Sequence, residues 1–393
     1  MHVLESYALQ NDLKIDKASV YEKYFPLAVD KFITIDTSNL GTSALAYDHW
    51  QLVVDLIFPK LEEQGIKIVQ LGDKDCAPIR NCYITLGQCD FNQRAYILRK
   101  SLAHASPNNE SSHVASLYNK KSVVLFSNNC YPTQFLPYWT ESNHLEILQP
   151  ENSRKPSFNP NENPKSINTI KPEEVAKKIL NLAGIHTFFP EFKTIKIGTS
   201  FGRPRIESTL THLLDVKKLG VSSLITRMDL NFNEEALWKQ LESCECSVIT
   251  NRPLSDETLD RYHKKIVELV YYIEDDNSPE FIKKTKGKSM RYLLRSRKEK
   301  EQTSDFKLDY LDYGLVEQVI PRSQNDFEEL KDVKNLYYKS THFIIHNNKF
   351  YPSTAAFLRL EQGSPSMEHE PYPVIDDPLF WEEEEHFHFF EKK

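Results

Sequence analysis

Glycine is scarce in this chain, with 11 among 393 residues and no two separated by a single residue. A dinucleotide fingerprint needs G-x-G for its tight turn and for close approach of backbone to pyrophosphate, so that motif is excluded. The Walker A loop and the G-x-S-x-G nucleophile elbow are absent as well. Cysteine is equally uninformative as a framework. Six occur (Cys76, Cys82, Cys89, Cys130, Cys244 and Cys246) with no C-x-x-C pair, and their spacings fit no common zinc site. They read as reduced thiols. No run approaches the ~20 apolar residues of a membrane span. The opening MHVLESYALQNDLK lacks the basic start and apolar core of an export signal, so the expectation is a soluble, cytoplasmic protein. Cationic charge is in deficit too: 49 Lys plus Arg against 56 Asp plus Glu leave a net charge of −7, the wrong sign for a body-wide nucleic-acid surface.

What is present is a repeated alternation of strand and helix patterns. In a first block, Lys31–Ile35, Ile66–Leu71, Leu102–Ala105 and Ser122–Phe126 read as strands. Helices are expected at Tyr47–Gln64, Phe91–Ser101 and from His113 to Tyr118. The stretch from Gln149 to Lys171 holds four prolines and five asparagines and reads as an irregular excursion. Lys171–Leu182 follows as a helix, with Pro172, Glu173 and Glu174 at its start. A second block continues with strands at Phe192–Ile197, Ser222–Thr226, Ser247–Thr250 and Val267–Ile273. Its helices are expected at Arg205–Leu219, Asn233–Glu242 and Asp256–Lys265. Thr341–Phe350 reads as a hairpin turning at Asn347–Asn348, and the acidic, aromatic end from Met367 as a strapping tail or a frayed end. The predicted fold is α/β, two Rossmann-like domains facing across a cleft, with a C-terminal extension. The expected boundaries are 1–185, 186–340 and 341–393.

Ligands in open parallel sheets bind beyond the carboxyl ends of strands, which selects the residues to read for chemistry. After the first strand come Asp36, Thr37, Ser38 and then Gly41, Thr42 and Ser43. Their hydroxyls and backbone N–H groups suit phosphate oxygens, or equally a helix cap. The segment ASPNNESSHVAS, Ala105 to Ser116, offers Asn108, Asn109, Glu110 and serines beside a helix start, with His113 on a small-residue face. That combination suits a diphosphate; the plain alternative is a satisfied, partly buried histidine. In the second block Glu207, Asp229, Asp275 and Asp276 stand at strand ends as candidate general bases. Arg203, Arg205, Arg227 and Arg252 share that edge as candidates for a diphosphate or an acidic acceptor.

Between Phe32 and Trp139 these segments, in order, resemble the donor-binding half of heptosyltransferase-type glycosyltransferases (glycosyltransferase family nine, GT-B fold). The resemblance is carried by Thr37–Ser38 after a strand, Asp48-His49-Trp50 opening a helix, IKIVQLGDKD, LGQCDFNQRAYIL, SLAHASPNNESSHVAS with NKKSVVLFS, and Pro137-Tyr138-Trp139. Asn108, Asn109 and Glu110 stand where the family has Asp-Ser-Gly, Ser43 where it has lysine, and Arg203 where it has an Asp base; His113 is kept. The donor-like half also comes first here, the reverse of the family's order. The resemblance implies inverting transfer from a nucleotide sugar, without an essential metal, to a glycan or lipid-linked glycan acceptor. It implies a donor held by Thr37, Ser38, Ser43, Gly72, Asp73, Asn108, Asn109 and His113, with Gln88 and Gln93 on the far wall. Acceptor and base would come from the second block. The nucleotide sugar is a substrate, and no cofactor is implied.

Three other features compete. Asp73-Lys74-Asp75 is a D-x-D, a weak metal signal on its own. Lys283 to Lys300 carries nine Lys or Arg and reads as a solvated amphipathic helix, or as a contact for anionic membrane or nucleic acid. The latter motivates an alternative, a glycosyltransferase acting on modified DNA bases. The departures from the family loop motivate another, a non-catalytic nucleotide-sugar or carbohydrate-binding scaffold.

Overall fold

The computed structural model describes all residues except 151–154, 187, 189, 220–223, 274–278, 289, 321–322 and 360–361. The chain divides into two compact units, Met1–Lys193 and Thr194–Lys393, so residues 341–393 belong to the second unit.

In the first unit helix α1 (Val3–Gln10) precedes β1 (Phe32–Asp36), α2 (Trp50–Glu63), β2 (Lys67–Leu71), β3 (Tyr83–Ile84) and α3 (Phe91–Lys100). Next come β4 (Ala103–Pro107), α4 (Glu110–Leu117), β5 (Lys121–Leu125), α5 (Pro132–Phe135), β6 (Leu145–Leu148) and α6 (Pro172–Leu182). The six strands form one parallel sheet in the order β3-β2-β1-β4-β5-β6. That is the doubly wound nucleotide-binding order, reversing direction between β1 and β4. One face is apolar: Ile33, Ile35, Ala105, Val123 and Leu125 pack on Val53, Val54, Ile57 and Leu61 of α2 and on Val175, Ile179 and Leu180 of α6. The other face carries polar side chains in β1 and β4, where Thr34, Asp36, His104 and Ser106 are all buried. Helix α4 can lie close over them because its buried residues are small, among them Ser111, Ser112, Ala115 and Ser116. It starts at Glu110, three residues before the start expected from the sequence, because Asn109 caps it by accepting from the Ser112 amide (3.3 Å).

The second unit contains β7 (Phe192–Ile197), β8 (Arg205–Ser208), α7 (Val216–Leu219), β9 (Leu224–Arg227), α8 (Glu234–Ser243) and β10 (Cys246–Thr250). There follow α9 (Asp256–Tyr262), β11 (Ile266–Tyr272), α10 (Pro279–Lys286), β12 (Arg291–Ser296), α11 (Lys300–Asp309) and β13 (Val316–Gln318). The last elements are β14 (Leu336–Ser340), β15 (His342–His346), β16 (Lys349–Tyr351), α12 (Thr354–Leu358), β17 (Tyr372–Pro373), α13 (Pro378–Trp381) and β18 (Phe387–Lys392). Strands order as β13-β12-β11-β10-β9-β8-β15-β16, parallel except for the β15–β16 hairpin. Because β8 to β13 wind in one direction, right-handed crossovers place their helices on a single face. Ile206, Leu224, Val248 and Leu269 meet Leu237, Leu241, Leu259 and Phe281 there. The opposite face is left to the C-terminal elements and holds charged groups. A second sheet, β17-β14-β18-β7, builds its own core from Tyr338, Phe380, Trp381, Phe387 and Phe389.

Both units are thus α/β with parallel sheets, as the alternation predicts, and four local expectations are corrected. Arg205–Leu219 is not a helix: Ile206, Leu210 and Leu214 recur at helical spacing and all reach the core, but Arg205–Ser208 pairs as β8 between β9 and β15. Phe192–Ile197 is a strand, but of the four-stranded sheet beside β18. Lys283–Lys300 is not one amphipathic helix. It spans the end of α10, the internal strand β12 and the turn into α11. Its cations are spread among partners: Lys284 to Asp256, Lys288 to Asp260, Arg291 to Glu268. The C-terminal end is the interior strand β18, not a frayed tail. Among the described residues no helix is long and apolar enough to cross a membrane.

Candidate functional site

The reversal of strand order in the first unit opens a crevice between the carboxyl ends of β1 and β4, the place where such sheets bind ligands. The two loops leaving these strands are tied together there. Asp36 accepts from the Ser38 amide through Oδ1 (2.8 Å) and from the Ser111 hydroxyl through Oδ2. Asn109 donates Nδ2 to the Ser38 carbonyl (3.2 Å). Gln70 donates Nε2 to Thr37 Oγ1 (3.2 Å), leaving the threonine hydroxyl hydrogen to point elsewhere. Beneath them His104 bridges Thr34 Oγ1 and Ser106 Oγ, each at 3.0 Å. Burial, partly opposed by Asp36, lowers its imidazole to about 4, so it is a neutral structural element at pH 7.

Two polar atoms at this crevice remain unsatisfied. Ser38 Oγ and Asn108 Oδ1 are buried with no hydrogen-bond partner, and Ser38 is only 2% exposed. A buried, unpartnered polar atom costs about 1–3 kcal/mol unless something fills the vacancy. The N–H groups of Glu110 and Ser111, the first two of α4, have no intrahelical acceptor, since the Asn109 cap takes the third. Helix-start N–H groups and a serine hydroxyl are groups that can donate to an oxyanion, and the amide oxygen can accept from a hydroxyl.

The other residues expected at the donor site lie on several elements of the first unit. His113 is half-buried on α4, its imidazole lowered by burial and by neighbouring His2. His2 was not singled out from the sequence. It caps α1 through Nδ1 (Leu4 amide, 3.1 Å), meets the Leu136 carbonyl at 3.0 Å and rests on the Tyr138 ring at 4.7 Å. Gly72 follows β2 in a cramped position, where an added Cβ would lie 2.8 Å from Leu86 Cδ2 and 3.2 Å from Thr37 Oγ1. Asp73 lies 3.8 Å from Arg94. Ser43 donates to the Glu162 carbonyl (3.0 Å), so the proline-rich excursion folds back onto the loop after β1. Gln93 is engaged in the capping box of α3 with Asp90, and Gln88 lies exposed beside the Ile84 carbonyl at 3.4 Å. Among the described residues no group of three or more His, Cys, Asp or Glu is placed to hold a metal ion, the Asp73–Asp75 loop included.

In the second unit Glu207, Arg205 and Arg227 converge on one buried network. Arg227 donates to Glu207 Oε2 (2.5 Å) and in a bidentate fork to Asp229 (2.8 Å to each oxygen). Arg205 adds a 2.8 Å contact to Glu207. His342 lies 3.2 Å from Glu207 on one side and 3.2 Å from Glu383 on the other. Burial alone would raise the Glu207 carboxyl, yet His342, Arg227 and Arg205 hold it well below the usual range. The same carboxylates overcome burial at His342 and lift its imidazole to about 9. Glu383 also accepts from the Thr354 amide (3.0 Å) and hydroxyl (2.5 Å). Asp229 sits just past β9, lining a hollow with Asn251, Tyr272 and Arg297. Arg203 is exposed in the turn before β8, and Asp275 lies outside the described residues. His342 and Glu383 gave no signal in the sequence, one being hidden in a hairpin and the other in a run of four glutamates.

No protein-family model and no curated protein matches the chain. Among solved structures it is similar to ADP-heptose lipopolysaccharide heptosyltransferase II of E. coli at 16% identity and a TM-score of 0.30, over 45% of this chain and 50% of that one. A glycosyltransferase family 9 protein of Veillonella parvula gives 13% and 0.31, over 39% and 46%. The iron-containing dodecameric glycosyltransferase TibC of enterotoxigenic E. coli gives 13% and 0.32, over 45% and 51%. The chain thus spans about half the length of these structures. At such scores the likeness is general, and the fold of each unit is defined by its own strand order.

Proposed function

We propose that this protein is a glycosyltransferase whose first unit binds the diphosphate of a nucleotide sugar in the β1/β4 crevice. The supporting observation is the unsatisfied buried Ser38 hydroxyl, able to donate to a phosphate oxygen beside the start of α4 at the strand-order reversal, with Asn108 Oδ1 left to accept from a hydroxyl of the ligand. Thr37, Asn109 and His113 complete the grip in this reading. His113 serves as a neutral or cationic donor to phosphate according to pH. The acceptor in this reading is a glycan. Its hydroxyl proton passes to a carboxylate as its oxygen bonds to the sugar's anomeric carbon, and the bond to the nucleoside diphosphate breaks with inversion. Asp229 lines a hollow at a strand's carboxyl end, but both its oxygens lie in the Arg227 fork, so it is not a free base. Glu207, paired on all sides and held anionic, acts as a structural counter-ion for Arg227.

Thermal melting with ADP, GDP, UDP and CDP tests the first step, since a ligand of the folded state raises the melting point. At least one of them is expected to do so, and Ser38→Ala with Asn108→Ala to weaken that ligand about 10-fold, the worth of one or two hydrogen bonds. Absence of any shift, or equal binding by the double variant, overturns the assignment. Binding without transfer to any glycan in a donor screen favours the scaffold reading.

A further inference from the structure

The opposite face of the second unit's large sheet holds two adjoining hollows of about 90 Å³ each, sharing Arg227, Tyr272, Arg297, Thr354 and Leu379. Each has room for roughly three waters, or for one carboxylate or phosphate group. Most of the charge around them is spoken for. Arg227 is taken by Glu207 and Asp229, Arg205 by Glu207, and His342 by Glu207 and Glu383. Among the described residues two guanidinium groups are left. Arg295 has Glu317 as its carboxylate neighbour at 3.6 Å, beyond hydrogen-bond reach, and its buried Nε has no partner. Arg297 comes no closer than 4.0 Å to Glu382. Its guanidinium instead lies 4.4 Å over the Tyr272 ring, which fixes the plane of its fork.

These two forks lie at the carboxyl end of β12, one on its last turn of strand and one just beyond it. A planar fork held by an aromatic ring and left without acceptors matches the geometry of a carboxylate or phosphate better than that of a neutral sugar. Ile249, Tyr272 and Leu379 supply the apolar wall, and Asn251 and Thr354 polar groups within the same hollows. Among the described residues Glu382 is the carboxylate paired with Arg297, and burial raises its carboxyl; Glu207, Asp229, Glu383 and Glu385 also line the hollows. We propose that Arg295 and Arg297 form a binding site for the oxyanion group of a small acidic ligand, a carboxylate- or phosphate-bearing sugar. The site does not depend on the nucleotide reading of the first unit.

Calorimetric titration of the full chain, without nucleotide, with glucuronate, glucose 6-phosphate and glucose tests it. Saturable binding of one acid and none of neutral glucose is expected, and the acid that binds identifies the oxyanion. Arg295→Ala and Arg297→Ala should each weaken that binding about 10-fold, as loss of a charge-assisted bidentate contact does. Arg297→Lys, which keeps the charge but not the fork, should weaken it severalfold and carries the test if an alanine variant fails to fold. Lys264→Ala, an exposed cation remote from the hollows, should change nothing. The proposal fails if neither acid saturates below about 10 mM, a range that still covers millimolar affinities. It also fails if the arginine variants bind as the parent does. Because nucleotide is left out, failure here leaves the donor site of the first unit standing.

Discussion

Replacing His342 by glutamine tests whether the second unit depends on a buried cation between two carboxylates. In the native network the imidazole lies 3.2 Å from both Glu207 and Glu383, and its value stands at about 9 against an ordinary 6.5. A group whose value is raised by folding stabilises fully below its unfolded value, and that contribution disappears as pH climbs through the folded one. The window is therefore pH 6.5 to 9, and the shift corresponds to roughly 3 kcal/mol. His342→Gln leaves Glu383 without its cation, while Glu207 keeps Arg227 and Arg205, at a cost of about 3–5 kcal/mol near pH 7. Urea unfolding of parent and variant between pH 7 and 10 measures the gap between them. Hydrogen exchange over His342–His346 assigns it to this unit. Lysine and tyrosine titrations are common to both proteins and cancel. The gap should shrink by about 3 kcal/mol across the window. A gap constant to within about 0.5 kcal/mol, the usual scatter of additive effects, would refute the charged-histidine account.

Three further outcomes follow from the same packing. The first unit should weaken in acid, because burial lowers His49 and His104 to about 4; their contribution is present above 6.5 and lost as pH falls toward 4. Circular dichroism of parent and His104→Asn should show a flatter acid limb in the variant. Asp36→Asn removes the charge that accepts from Ser38 N and Ser111 Oγ, and should cost about 1–3 kcal/mol. It should also weaken any nucleotide found to bind, which thermal melting with and without that ligand reports. Phe389→Ala, in the aromatic core beside Trp381 at 5.7 Å, should cost about 3–5 kcal/mol in urea unfolding.

The sequence made the first unit largely legible because its strands are short, largely buried segments between polar turns and its helix α2 shows an unbroken apolar stripe. Even the hairpin turn at Asn347–Asn348 was marked, and both residues take positive φ (49° and 60°). Where reading failed, short strands were the cause. The four residues of β8 carry too little pattern to outweigh the helical spacing of Ile206, Leu210 and Leu214; Ile206 is buried in the strand, and Leu210 and Leu214 by packing of the segment after it. β12 was hidden by its own arginines, since a strand facing a charged hollow loses the apolar alternation that marks strands elsewhere. Pairing across distance is invisible in one sequence. His342 and Glu383 lie far apart along the chain, and only the approach of α12, α13 and β18 to the sheet makes them neighbours. The strand-end rule picks out Thr37, Ser38, Asn108 and Asn109 by topology, and these residues do follow β1 and β4 in the fold.

The placement of β18 between β14 and β7 has a consequence during synthesis. β7 is the first strand of its unit to emerge from the ribosome, and β18 its last, so β7 waits through almost the entire unit for its neighbour. At ~5–20 residues per second that delay is on the order of ten seconds or more, during which an edge and an aromatic face stay open to other chains. The first unit, whose sheet closes within its own contiguous residues, carries no such exposure; nascent-chain aggregation should therefore track the second half of the protein and the availability of holdase chaperones.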